Sequence, residues 1–298
     1  MINKALTIFQ HIANDIINTD FVIEKLADDC AFSEGPVWNK EGFYLFSDIP
    51  KNYILRISED GGKEVFIKES GFTNSRDAAL SEQIGSDGLA YNNIGLLFIC
   101  QHGNGAVATW DGKEVTSFCS DYKGRPFNSP NDIVISKNNS VFFSDPPYGL
   151  KDQQLQPDRG QDKAGFYCWR EGAVHLITDQ YQYPNGLCLS KDEKSLFTCS
   201  NKPFEKFVLE FDTTTLKLKR QVANESSDGI KIDKHGNLYL CTKEGLVIID
   251  QNGNRIAKIE LETIPANACW GGRDENDLFI TARNNIFLIK NLQKRISS

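Results

Sequence analysis

Ser33-Glu34-Gly35-Pro36-Val37-Trp38 opens the first of six similar segments in this 298-residue chain. Each segment starts with a small or turn residue and a Glu, Asp or Asn, then runs through an apolar stretch, a polar turn and a second apolar stretch. The later copies start at Ser86, Pro130, Pro184, Ser227 and Pro265. A repeat of about 40 to 55 residues is typical of one four-stranded blade of a β-propeller.

Within each repeat, short apolar runs are joined by tight turns that contain Gly or Asn, as β-hairpins require. The last repeat ends soon after Ile286-Phe287-Leu288-Ile289, one strand short, and the apolar run 21–26 precedes the first repeat. Joining these two ends would close the ring and remove exposed sheet edges. We therefore predict an all-β, six-bladed propeller of four-stranded antiparallel blades, closed by an N-terminal strand. A pair of β-sandwiches is the alternative, but it does not explain six similar openings.

No linker divides the chain, so residues 1–298 are predicted to form a single domain. Apolar residues at helical spacing near the start predict a short amphipathic helix at about 3–18. No apolar run is long enough to span a bilayer, and the start lacks the features of a signal peptide. These features predict a cytoplasmic protein, as a monomer or weak homo-oligomer.

The composition argues against nucleic-acid binding and against disulfide bonds or a zinc ribbon. Forty acidic and 33 basic residues give a net charge of −7, and no basic cluster marks a nucleic-acid site. Eight cysteines are present, but none forms a CxxC pair and most lie in apolar runs. We expect reduced, buried thiols rather than disulfides or a zinc ribbon.

In a closed propeller, the polar residue near the start of each repeat points toward one central channel. Carboxylate and amide oxygens are the ligands that hard divalent cations prefer. The sequence therefore indicates a metal site at the channel mouth, although Asp and Asn before Gly also serve as turn caps. The convergent residues are Glu34, Asp87, Asn131, Asn185, Asp228 and Asn267.

Several of these segments also resemble a known family. Ser33 to Trp38, Ser129-Pro130-Asn131-Asp132, Pro184 to Leu187 and Ser227 to Gly229 are similar, in order and spacing, to signature segments of the gluconolactonase family that includes regucalcin-like members. The resemblance extends from about residue 31 to 282, and the run 143–150 (FSDPPYGL) looks like its bacterial and fungal gluconolactonase branch.

The resemblance implies a metal-dependent sugar lactonase with one divalent cation on the propeller axis. Glu34, Asn185 and Asp228 are the implied ligands, with Asn131 as a further ligand or substrate contact. Ca²⁺ is the first expectation, and Zn²⁺, Mg²⁺ or Mn²⁺ are alternatives. A metal can polarise the lactone carbonyl, with Asp228 as general base. A nucleophilic role for Asp228 stays open.

This chain departs from the family at one substrate contact. Regucalcin-type members have an Arg two residues before the position of Asn131, whereas this chain has Ser129. Nearby Asn128 and Arg125 are candidate substitutes for that contact.

Three further residues are candidate substrate contacts. His102 either faces the channel or locks a neighbouring blade, and Asp145 and Tyr148 shape a loop over the pocket. The insertion from residue 150 to 165 is either a lid or a solvated loop.

Two other functions fit the same pattern. An organophosphate- or other ester-hydrolysing propeller would use a similar metal ring, since such a site needs only a carbonyl or phosphoryl oxygen on the metal. A non-catalytic propeller that binds a partner on its face is the third reading, although a scaffold has no need of a charged axial cluster.

Overall fold

A computed structural model describes residues 4–58, 60–73, 83–158, 160–272 and 274–294. Six antiparallel sheets contain almost all of its regular structure, and consecutive strands are neighbours in each sheet, apart from two N-terminal strands that join the last two sheets. The first strands of the six repeats contact one another in a closed ring around the axis. The predicted six-bladed β-propeller is confirmed.

The N-terminal segment and the first two blades contain ten strands and one helix. The N-terminal elements are β1 (Leu6–Ile8), α1 (Ala13–Ile16) and β2 (Val22–Ala27). Blade 1 contains β3 (Ser33–Asn39), β4 (Phe43–Asp48), β5 (Tyr53–Ser58) and β6 (Lys63–Lys68). Blade 2 contains β7 (Ser86–Tyr91), β8 (Leu97–Gln101), β9 (Ala106–Trp110) and β10 (Val115–Cys119).

A two-stranded hairpin leads to blade 3, and a 3₁₀ turn at Lys151–Gln153 lies within that blade. The hairpin is β11 (Asp121–Tyr122) and β12 (Arg125–Pro126). Blade 3 contains β13 (Ile133–Ile135), β14 (Val141–Asp145), β15 (Gly165–Arg170) and β16 (Ala173–Thr178). Blade 4 contains β17 (Pro184–Leu189), β18 (Ser195–Ser200), β19 (Val208–Asp212) and β20 (Leu218–Ala223).

The last two blades contain seven strands of their own. Blade 5 contains β21 (Ile230–Ile232), β22 (Leu238–Thr242), β23 (Gly245–Ile249) and β24 (Arg255–Ile259). Blade 6 contains β25 (Asn267–Gly271), β26 (Asp277–Ala282) and β27 (Asn285–Lys290).

The N-terminal segment completes blade 6, as predicted. β2 pairs antiparallel with β27, so that Val22 faces Lys290, and supplies the missing fourth strand. This closes the ring, because the first and last parts of the chain share one sheet.

The prediction of a helix over about 3–18 is wrong for most of its length. β1 instead adds a fifth strand to blade 5, with Leu6 opposite Ile259, and α1 is only four residues long. Residue 3 lies outside the described residues. Leu6, Ala13, Ile16 and Ile17 of this segment are buried against blades 5 and 6, whereas Phe9 and Ile12 are exposed.

The core consists of six apolar clusters, each between two neighbouring blades. Between blades 6 and 1, for example, the rings of Tyr44 and Phe279 stack with centroids 4.3 Å apart. Burying such aromatic side chains stabilises each blade contact by several kcal/mol, on the order of 2 per large side chain. Blade packing therefore fixes the inner strands that line the axis.

All eight cysteines are free thiols, and seven of them are buried, as the sequence predicted. Among the described residues, no helix is long and apolar enough to cross a membrane.

Candidate active site

Glycines let the inner strands approach closely at the mouth of the channel. The Gly88 amide donates to the carbonyl of Asn131 (2.6 Å), and the Gly186 amide donates to the carbonyl of Asp228 (2.9 Å). A Cβ atom on either glycine would lie 2.5 Å from the carbonyl oxygen that its own amide contacts. The Asp-Gly and Asn-Gly pairs of the repeats therefore bring polar side chains from neighbouring blades together.

Two carboxylate–amide pairs form the centre of the site. Asn131 Nδ2 donates to Asp87 Oδ2 at 2.5 Å, and Asn185 Nδ2 donates to Asp228 Oδ1 at 2.6 Å. Asn201 Nδ2 donates to the same Asp228 oxygen at 3.0 Å. Each amide links its own blade to a carboxylate of another blade, which fixes both side chains.

Negative charge is concentrated around these pairs. Burial raises the pKa of Glu34 well above its ordinary value, and the charges of Asp87, Asp228 and Asp132 raise it further. Burial is likewise the main cause that raises the pKa of Asp87, followed by Asp132 and Asp228. Burial raises the pKa of Asp228 to about 6, although its two amide donors oppose the shift. The side chains thus form an acidic ring, Glu34, Asp87, Asp132 and Asp228, whose members destabilise one another when ionised.

Lys231 supplies a positive charge inside the channel. Its Nζ lies 3.5 Å from Asp132 Oδ2, and the two side chains are only 18% and 5% exposed. Burial lowers the pKa of Lys231, but the negative charge of Asp132 and nearby thiols outweigh burial and leave it raised. Asp132 also accepts the backbone amides of Ile133 and Leu187. This buried ion pair joins blade 3 to blade 5 and offsets part of the acidic ring.

His102 lies fully buried next to the ring. Its Nε2 is 3.0 Å from Asp87 Oδ2. Burial lowers the pKa of His102 to about 4, and the backbone of Gln83 opposes this only partly. The imidazole is therefore neutral at pH 7, and a contact of His102 with substrate stays a prediction.

Tyr148 reaches the site through Asn201. Its hydroxyl donates to Asn201 Oδ1 at 2.6 Å, so that tyrosine, amide and Asp228 form one connected chain of hydrogen bonds. Burial raises the pKa of Tyr148, which keeps the hydroxyl protonated. The structure brings this predicted substrate contact within one side chain of the predicted catalytic residue.

The other predicted substrate contacts anchor loops. Asp145 is buried and accepts the backbone amides of Asn128 (2.9 Å) and Ser129 (2.8 Å). Asn128 Nδ2 donates to the carbonyl of Lys163, and Ser129 Oγ donates to the carbonyl of Pro146. Substrate contacts from Asn128 and Asp145 stay predictions, since the hydrogen bonds seen here are those of a loop anchor.

Arg125 is held by the insertion after blade 3's second strand. Its guanidinium donates to the carbonyls of Pro157 and Gly160 and lies 3.4 Å from an Asp162 oxygen. These contacts of the Arg125 guanidinium anchor the insertion loop over β12.

Sequence reasoning gave no role to Asp132, Asn201 or Lys231, and it placed Asn267 in the ring. Asn267 Oδ1 accepts the amide of Ala268, and this side chain packs against Gly229. A signal for Asn201 existed: it follows an apolar second strand at the same blade end as His102. The Lys231–Asp132 pair had no such signal, because its partners are 99 residues apart.

A family model described as the SMP-30/Gluconolactonase/LRE-like region matches residues 32–284. The chain belongs to this family. It is 31% identical to a gluconolactonase of Zymomonas mobilis over 304 residues, which cover 96% of this chain and 85% of that protein.

Solved structures share the fold of this SMP-30/gluconolactonase family member. A gluconolactonase from Xanthomonas campestris superposes with a TM-score of 0.83 at 22% identity, over 97% of this chain and 94% of that one. Regucalcin of Agrobacterium tumefaciens, described as a calcium-binding protein, superposes with a TM-score of 0.72 at 15% identity, over 93% and 96%. The matched range includes the whole acidic ring.

Proposed function

We propose that this protein opens a sugar lactone to its hydroxy acid, using one divalent cation held by Glu34, Asn131, Asn185 and Asp228. The observation that carries this proposal is the acidic ring, in which buried carboxylates from four blades converge and raise the pKa values of Glu34 and Asp87. A gluconolactonase is among its relatives, which supports a lactone hydrolase. The similar calcium-binding regucalcin supports Ca²⁺ as the cation.

The donor set fits a hard divalent cation. Two carboxylates and two amides offer only oxygen ligands once the amides present Oδ1, and an amide carries both a donor and an acceptor. Within the described ranges, no group of three or more His, Cys, Asp or Glu side chains is arranged to hold a metal. The amides of Asn131 and Asn185 are therefore needed to complete the set. A cation would also remove the mutual repulsion of the acidic ring.

When bound, a divalent cation supplies a Lewis acid for the lactone carbonyl. Asp228 then accepts a proton from the attacking water, whose oxygen bonds to the carbonyl carbon as the ring carbon–oxygen bond breaks. Asp228 returns this proton to the ring oxygen, which becomes the hydroxyl of the product, and the new carboxylic acid ionises and releases one proton to solvent.

The surroundings of Asp228 suit a general base. A raised pKa brings a carboxyl closer to neutral pH, where a base both stays ionised and takes a proton effectively. Asn185 and Asn201 hold Oδ1, whereas no described residue donates a hydrogen bond to Oδ2. Two donors on one oxygen orient the carboxylate, and Tyr148 in turn orients Asn201.

Proton release on adding glucono-δ-lactone, followed at constant pH, tests this proposal. We expect hydrolysis by the wild type and a loss of about 10²-fold or more in Asp228→Ala, the usual range for a general base. Asp20→Ala, an exposed turn residue, is the matched control and is expected to keep wild-type activity. Equal rates for wild type and Asp228→Ala would overturn the proposal.

A further inference from the structure

A lysine stands beside the hydrogen-bond chain that ends at Asp228. Lys202 follows Asn201 directly, in the loop after β18. Its Nζ lies 4.5 Å from the ring centroid of Tyr183 and 5.1 Å from that of Tyr148, and it donates to Gln153 Oε1 at 3.3 Å. The ammonium is thereby held between two aromatic rings at the end of the propeller where Asp228 lies.

Lys202 lacks a carboxylate partner within the described part of the chain: its hydrogen bond is to an amide and its ring contacts are to tyrosines. Burial lowers the pKa of Lys202; the charge of Asp228 opposes this, and the charge of Lys243 adds to it. An ammonium without a carboxylate partner at a channel mouth attracts an anion.

Other cations near this mouth are already engaged. The guanidinium of Arg125 is bound by Pro157, Gly160 and Asp162. Lys231 pairs with Asp132 inside the channel. Ser129 carries no charge, and its hydroxyl donates to Pro146 and accepts from Gly149. Lys202, whose pKa responds to the charge of Asp228, has no ion-pair partner among the described residues.

The rings around Lys202 also suit a sugar. Tyr183 and Tyr148 are stacked with centroids 5.8 Å apart, and Phe204, which is 72% exposed, packs edge-on against Tyr183. The exposed ring of Phe204 and the half-buried ring of Tyr183, beside a charged group, provide apolar surface for a sugar ring together with a polar anchor.

We propose that Lys202 binds an anionic substituent of the substrate, so that the preferred substrates are acidic sugar lactones that carry a carboxylate or phosphate group. Tyr183 and Tyr148 position the ammonium, and Tyr183 and Phe204 contact the sugar. This inference rests on the proposed lactonase function and names the substrate class of the same site.

The test compares one neutral lactone, glucono-δ-lactone, with two anionic lactones, 6-phosphoglucono-δ-lactone and glucaro-1,4-lactone. For the wild type, we expect at least one anionic lactone to have a kcat/KM about tenfold or more above that of the neutral one, mainly through a lower KM. Lys202→Met is expected to remove this preference, and high salt is expected to weaken it. Lys206→Met, an exposed lysine of the same loop, is the matched control and is expected to retain the preference.

Calorimetric binding of the products 6-phosphogluconate, glucarate and gluconate gives a readout that does not depend on turnover. The wild type is expected to bind one dianionic product about tenfold more tightly than gluconate, and Lys202→Met to bind them alike. Lactone hydrolysis without any anion preference would overturn this inference and leave the lactonase standing. Lys202-dependent binding without hydrolysis of any lactone would do the opposite, and the absence of both would overturn both proposals.

Discussion

Asp228→Asn is expected to make the metal-free protein more stable while abolishing its activity. Burial raises the pKa of Asp228 from that of an ordinary aspartate to about 6. At about 1.4 kcal/mol for each tenfold change in proton affinity, the ionised carboxylate costs the folded state on the order of 3 kcal/mol at pH 7. An amide at this position carries no charge, so most of this cost disappears.

The expected increase in the free energy of unfolding is smaller than the full cost of the ionised Asp228 carboxylate. The Oδ1 atom of an asparagine can still accept from Asn185 and Asn201, but hydrogen bonds to a neutral oxygen are weaker than those to a carboxylate. We therefore expect the free energy of unfolding to increase by about 2 kcal/mol, which corresponds to roughly 4–8 °C in Tm for a chain of this size.

The direction in which stability changes with pH gives a second test of the cost of burying the ionised Asp228 carboxylate. A folded-state pKa above the unfolded value means that the native state binds more protons as the pH falls, so the metal-free wild type gains stability between pH 7 and pH 5. The Asp228→Asn variant has no carboxyl at this position to take up a proton, so it lacks this contribution to the increase in stability between pH 7 and pH 5.

The assay is thermal and chemical unfolding after dialysis against a chelator, at pH 7 and at pH 5. Asp212→Asn serves as a control of opposite sign, because backbone and side-chain donors from Thr214 and Thr215 lower the pKa of that exposed carboxylate. A metal-free Asp228→Asn variant that is less stable than the wild type at pH 7 would refute the claim that burial of the ionised Asp228 carboxylate destabilises the fold.

Three further outcomes are expected. Lys231→Met leaves the buried Asp132 without its ion-pair partner and should lower the free energy of unfolding by about 3 kcal/mol, measured by denaturant titration; an unchanged midpoint would contradict the ion pair. Gly149→Ala should reduce lactone hydrolysis and stability together, because its Cβ would lie 2.6 Å from that of His102; wild-type values for both would show that the loop has room. Ca²⁺ should raise the Tm more at pH 7 than at pH 5, because protons compete with the cation for Glu34 and its neighbours at the lower pH. An equal shift in Tm at both pH values would argue against carboxylate ligands.

Local patterns predicted most of the fold. The six repeat openings, their hairpins with turn glycines and the closing strand depend on short-range periodicity, which a single sequence displays. The N-terminal segment was misassigned for a physical reason. Its apolar spacing fits a helix, but the pairing of Leu6 with Ile259 makes it a strand, and the sequence carries no mark of a partner so distant along the chain.

The candidate site was predictable in part for the same reason. Repeat symmetry places Glu34, Asn131, Asn185 and Asp228 near the starts of inner strands. Short hydrogen bonds across blades join Asn131 to Asp87 and Asn185 to Asp228. The loop-anchoring role of Asp145 could not be predicted, because its hydrogen bonds to loop amides depend on how the loop folds back.

The position of Lys202 at the site could not be predicted from the sequence patterns. It belongs to no repeated segment, and its relation to Asp228 depends on the course of one loop after β18. Residues that loops bring to a site carry no periodic signal, so the structure was needed to find them.

Lactone hydrolysis measured while Ca²⁺ is added back to metal-stripped protein tests the central claim most directly. The rate should rise from near zero in proportion to the added metal and level off at about one equivalent per chain, because the acidic ring has one set of oxygen ligands. Full activity of the metal-stripped protein, or activity that ignores occupancy of the site, would contradict a cation held by Glu34, Asn131, Asn185 and Asp228.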